Sequence, residues 1–137
     1  MPKVLEFSVR TRASDSLDDV RKSIEGAFNI KFAEGEYEFA PAYVSNLLGM
    51  IVGLFQWGED YLLETRIEDI RFLEAAEKRR LEPVRVSEPV ANMLTIIGPY
   101  KWRIATPEDE AKDRAIGEEL DRQQLDDEAP PTWGDRL

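Results

Sequence analysis

The side chains in this sequence that can move protons, hold a cation or attack a substrate are carboxylates, lysines, tyrosines and hydroxyls, because its 137 residues include no histidine and no cysteine. That removes imidazole general bases, Ser-His-Asp and Cys-His relays, HExxH zinc helices, thiolate nucleophiles and disulfides. Besides an acidic block at the C-terminus, the carboxylates group in two places in the central region. Glu34, Glu36 and Glu38 alternate along one short segment, and Glu59-Asp60 follow Gly58 between Trp57 and Tyr61, with Glu64 beyond. Alternate carboxylates share a strand face and are suitable oxygen donors for Mg²⁺, but no second cluster stands at an identifiable spacing. The eight glycines are scattered and form neither GxxxxGK[ST] nor GxGxxG. The reading is therefore a protein with no catalytic residue, no metal site and no cofactor; a carboxylate-based, metal-dependent enzyme is the lesser alternative.

The elements that must position these side chains follow from apolar spacing. Val4–Arg10 alternates and predicts a first strand. Ser16 with Asp19 three residues on is a capping pattern, and Leu17, Val20, Ile24 and Phe28 give the helix Ser16–Phe28 one apolar face. Ile30–Phe32 and Tyr37–Phe39 read as a short hairpin or irregular edge. Pro41 to Leu48, stopped by Gly49, reads as a short helix. Met50–Trp57 is almost wholly apolar and predicts a central strand, followed by a tight turn and a returning strand Tyr61–Ile67. Asp69–Leu81 is rich in helix formers and ends before Pro83, so a helix is expected. Ser87–Ile97 reads as a serine-capped helix stopped by Gly98-Pro99, and Tyr100–Ile104 as a final strand. Thr106-Pro107 with Asp109 opens an acidic helix, whereas Asp126–Leu137 lacks periodicity. The expected fold is α+β: a mostly antiparallel sheet with helices packed on it, a globular domain over 1–105, and an acidic helix plus flexible tail over 106–137.

Net charge is −10. It is balanced over residues 1–30, −5 over 31–65, +2 over 66–105 and −7 over 106–137. Such a distribution repels nucleic acid and anionic membranes and steers encounter with basic partners. No stretch approaches the ~18 apolar residues of a membrane span, and Met1–Phe7 lacks the order of a signal peptide, so a cytoplasmic product is expected.

The order strand, helix, acidic hairpin, then Asn46-Leu47-Leu48-Gly49-Met50-Ile51-Val52-Gly53-Leu54-Phe55-Gln56-Trp57 and a returning Tyr61–Ile67 strand resembles the small acidic immunity proteins of bacterial polymorphic toxin and contact-dependent inhibition systems. The resemblance implies a cytoplasmic protein that neutralises one cognate toxin by stoichiometric binding. Nuclease toxins need basic grooves to hold phosphates, and an acidic inhibitor complements them. From the residues themselves, Gly58-Glu59-Asp60 sets two carboxylates at a turn flanked by Trp57 and Tyr61, a composition found at binding hot spots. Glu64, Glu36 and Glu38 extend that field if the two hairpins are neighbours. A basic protein surface is thus the expected partner. The alternative is a structural or self-associating protein that uses the apolar segment 47–57.

Overall fold

Two-residue turns set the centre of the fold. In a computed structural model that describes residues 1–37 and 40–128, with side chains as far as residue 123, the chain divides into two units, Met1–Ala105 and Thr106–Leu137. The first unit is α+β. Its elements are β1 (Lys3–Thr11), α1 (Leu17–Phe28), β2 (Ala33–Tyr37), β3 (Ala40–Leu47), β4 (Met50–Trp57), β5 (Asp60–Thr65), a 3₁₀ turn (Ile67–Asp69), the four-residue α2 (Ala75–Lys78), β6 (Glu82–Arg85) and α3 (Ser87–Ile97). The strands form one sheet in the order β2-β3-β4-β5-β1-β6, antiparallel throughout except where β1 pairs with β6. The β3–β4 turn has positive φ at both Leu48 and Gly49, whereas the β4–β5 turn has it at Gly58 alone. These are the two mirror-image turn classes whose twist matches that of a hairpin.

Alternation sends apolar side chains to both faces. On one face Phe7, Val9, Val52, Leu54 and Leu63 meet Val20 and Ile24 of α1, Ala91 and Leu94 of α3, and Trp102. On the other, Tyr37, Ala42, Phe55 and Leu62 form a smaller cluster with Trp57 at its margin. Tyr37 stacks on Phe55 with ring centroids 5.5 Å apart. Gly53 makes this possible, because a Cβ there would stand 2.5 Å from the Tyr37 ring.

Four expectations from the sequence are corrected. Residues 41–47 are strand, not helix: their neighbours β2 and β4 take up the backbone on both sides, and the turn at Leu48-Gly49 returns the chain into β4. Pro41 lies within this strand and limits its pairing with β4 instead of starting a helix. The β3–β4 ladder ends at Tyr43↔Leu54, one hydrogen-bonding position short of the missing Pro41 N–H. Within 69–81 only Ala75–Lys78 is α-helical, because Ile70 bridges to Met50 and Glu82–Arg85 is drawn into the sheet beside β1. Finally, 100–104 is no strand; only Arg103 bridges, to Arg10, while Thr95 Oγ1 accepts the Trp102 N–H at 2.8 Å. Ser87 caps no helix either, since its hydroxyl oxygen accepts the Ser8 N–H at 2.9 Å.

β6 closes one side of the sheet poorly for pairing. Glu82 N and Val86 N donate to Pro2 and Glu6 carbonyls of the β1 side, so residues 83 and 85 direct their backbone outward, and Pro83 has no N–H to offer. The second unit contains α4 (Pro107–Glu128). Thr106 and Asp109 cap it reciprocally: Thr106 N donates to Asp109 Oδ2 at 2.8 Å, and Asp109 N to Thr106 Oγ1 at 3.2 Å. Among the described residues no helix is long and apolar enough to cross a membrane.

Replacing Gly53 by alanine is expected to cost about 1–3 kcal/mol by overpacking, and the same change in a Tyr37→Ala background to cost clearly less. Urea denaturation of the four proteins in that cycle measures the difference.

Candidate functional site

The β4–β5 turn is held by the strand beside it. Antiparallel pairing sets Thr11 opposite Tyr61, so Arg10 and Arg12 flank Asp60 on one face. Arg10 Nη1 lies 3.3 Å from Asp60 Oδ2, Arg12 Nε lies 3.1 Å from Oδ1, and Arg103 Nη2 lies 3.3 Å from Oδ2. Asp60 retains only 4% of its surface, and Arg10 the same. Removing a carboxylate from water is unfavourable unless charge and hydrogen bonds replace the hydration, and three guanidinium groups do so here. The backbone reinforces the arrangement, because Arg10 and Arg103 exchange hydrogen bonds of 2.8 and 2.9 Å.

Of the residues singled out from the sequence, the structure therefore splits the turn pair. Glu59 projects, its side chain 79% exposed and 3.2 Å from Arg12 Nη2. Asp60 is enclosed and presents no free carboxylate to an approaching surface. Trp57 is half-buried, its ring edge-on to Phe55 at 6.4 Å. Tyr61 lies on the opposite face, where its hydroxyl donates to the Asp15 carbonyl at 2.9 Å. Glu64 is buried: it accepts from Ser8 Oγ at 3.0 Å and from Arg66 Nη2 at 2.7 Å. Glu36 is exposed on β2, on the face opposite Glu64 and with β3 and β4 between the two strands, so these two glutamates do not form one field. Glu38 lies outside the described residues.

The sequence reading missed the arginines. An Arg-x-Arg pair at the end of the first strand was the available signal, since any antiparallel pairing with the returning strand brings it against the Asp60 turn. Also missed was a convergence of phenols on the start of α1. Tyr100 donates to Asp15 Oδ2 at 2.7 Å and Tyr43 to Asp18 Oδ1 at 3.1 Å, while Arg21 stacks over the Tyr43 ring at 5.1 Å. Burial, then the hydrogen bond to Asp15, pushes the Tyr100 phenol up to about 12. Burial and the bond to Asp18 raise Tyr43, and burial and the bond to Asp69 raise Tyr37. Arg21 holds the Asp18 carboxyl below its usual range. Among the described residues no three acidic side chains converge as a cation site requires.

Asp60→Asn removes the buried carboxylate that Arg10, Arg12 and Arg103 share and is expected to destabilise by about 3–5 kcal/mol, whereas Arg12→Ala, on an exposed side chain, should cost about 0–1 kcal/mol. Thermal and urea unfolding of both variants compare the two. A second expectation concerns alkali. Tyr100 keeps its proton when folded to about pH 12 and loses it near 10 when unfolded. The folded state thus binds more protons in that window, and stability falls as pH rises through it, with no contribution below. Ultraviolet titration of the phenolate band should show the late Tyr100 step, and Asp15→Asn should move it part of the way back.

The chain matches no family model, no curated protein and no solved structure.

Proposed function

We propose that the chain is a non-enzymatic protein-binding module that neutralises a basic toxin domain by stoichiometric binding, as an immunity protein does. The observation that carries this reading is the division of charge. Arg10, Arg12 and Arg103 are engaged on Asp60, Arg66 on Glu64, and Arg21 on Asp18 and Glu25. Glu34, Glu36 and Glu59 face solvent. In the second unit α4 carries ten acids against three bases. Internal pairing takes up these five arginines, Arg71, Arg79, Arg80 and Arg85 stay exposed, and the net charge of −10 favours fast, salt-sensitive encounter with a basic surface. Glu59 stands at a turn whose neighbour Asp60 is fixed by three arginines, so little ordering opposes contact there. The alternative of self-association through residues 47–57 finds less support, because β4 has hydrogen-bonded neighbours on both sides and offers no free edge.

The test is co-expression with the protein encoded beside it, followed by titration calorimetry of the purified pair. Protection of the cells and one-to-one binding are expected; growth arrest despite folded protein contradicts the reading. Within the complex, Glu59→Lys with Trp57→Ala should raise the dissociation rate at least about tenfold, as loss of a hot spot does. Truncation after Gln124 should mainly slow association and reduce its salt dependence. Surface plasmon resonance separates the two effects, and the reverse pattern would move the interface to the C-terminal segment.

A further inference from the structure

We infer that β2 is a docking edge that accepts one extended strand of a partner protein, with lysine or arginine at alternate positions. This rests on the binding-module reading above and names how such a partner would be held. β2 is the outermost strand on its side of the sheet, and Ala33 to Glu36 are all exposed. Its register determines which backbone groups point outward. Glu36 is opposite Pro41, which has no N–H, so this is a non-hydrogen-bonded pair. The bonds to β3 are therefore made by residues 33, 35 and 37. Glu34 and Glu36 direct both N–H and C=O away from the sheet, a row of four groups that only an added strand or water can satisfy.

The side chains select the occupant. Tyr37 packs into the cluster on one face, so Glu34 and Glu36 project together from the other, and among the described residues neither carboxylate has an ion-pair partner. A second copy of this edge is disfavoured. Antiparallel self-pairing centred on Gly35 would set Glu34 opposite Glu36 twice, and like charges directly opposite destabilise a pair of strands. A strand with Lys or Arg at those positions gains two cross-strand ion pairs instead. The edge also has a natural end. Glu25 Oε2 already accepts the Phe32 N–H at 2.8 Å, and the exposed Lys31 precedes it. The docked strand is thereby confined to the stretch from Ala33 towards Tyr37.

The probe is a disulfide-closed hairpin peptide whose free edge reads Lys-Val-Lys-Val-Lys, added to the full-length protein labelled with ¹⁵N. Amide exchange at Glu34 and Glu36 should slow at least about tenfold at saturation, while Gly35 and Tyr37, already bonded to β3, change little. Glu36→Pro deletes an outward N–H without removing a β2–β3 bond, and should weaken binding at least about tenfold. Glu34→Gln with Glu36→Gln keeps the backbone and should weaken it severalfold, with less salt dependence; this variant serves even if the proline variant fails to fold. No binding at millimolar peptide, chemical-shift changes confined to other strands, or unchanged exchange at Glu34 and Glu36 overturns the inference. Protection of those amides that grows with protein concentration alone also overturns it, by assigning the edge to a second copy. If the toxin domain binds but neither variant matters, docking at this edge fails and the binding-module reading survives; if the peptide docks and no neighbouring toxin is neutralised, the reverse holds.

Discussion

The Asp60 carboxylate sits where two elements distant in sequence meet, and the rest of the sheet's acidic end depends on it. It begins β5 directly after a two-residue turn, takes guanidinium groups from Arg10 of β1 and Arg12 just beyond it, and draws in Arg103 from the segment after α3. Without it, the Arg10 and Arg103 guanidinium groups would lose the carboxylate they share beside the Arg10–Arg103 bridge. With it, the end of the β4–β5 hairpin is tied to β1, and the segment that follows α3 has a defined place. The cost is that Asp60 has no charge left to present. Its neighbour Glu59 and the glutamates of β2 carry the outward negative character.

The outer backbone edges of the sheet are treated differently. Along β1 they are taken up in sequence by β6, by the Ser87 hydroxyl and by Arg103. β6 in turn is short and carries Pro83 with its missing N–H turned outward. β2 has no proline, and within the first unit no segment pairs with its outer edge; its defence is like charge, which is effective against itself and ineffective against a basic strand.

Much of the fold was legible in the sequence where periodicity was long and unambiguous. β1, α1, β4, β5 and α3 follow from alternation or from apolar residues three and four apart, and α4 from its Thr106–Asp109 cap. The errors have specific causes. Pro41 with a following Gly49 mimics a helix start and stop, but Leu48-Gly49 is a hairpin turn, and Leu48 adopts a positive φ that no propensity favours. The Glu-, Ala- and Arg-rich stretch 69–81 has good helix propensity, which Ile70 pairing with Met50 overrides. Tyr100–Ile104 alternates well, yet the Thr95 hydroxyl engages its backbone. For the candidate site, the turn and its exposed Glu59 were legible; the enclosure of Asp60 was not, because it requires the register of β1 on β5 and the return of Arg103.

Native-state hydrogen exchange at the Trp57 and Asp60 amides tests most directly whether the three-arginine cluster orders this end of the sheet. If it does, both amides open only with global unfolding, and their exchange free energies equal the stability found by denaturant. Exchange through a local opening, at free energies well below the global value while Leu54 and Leu63 remain fully protected, would contradict it.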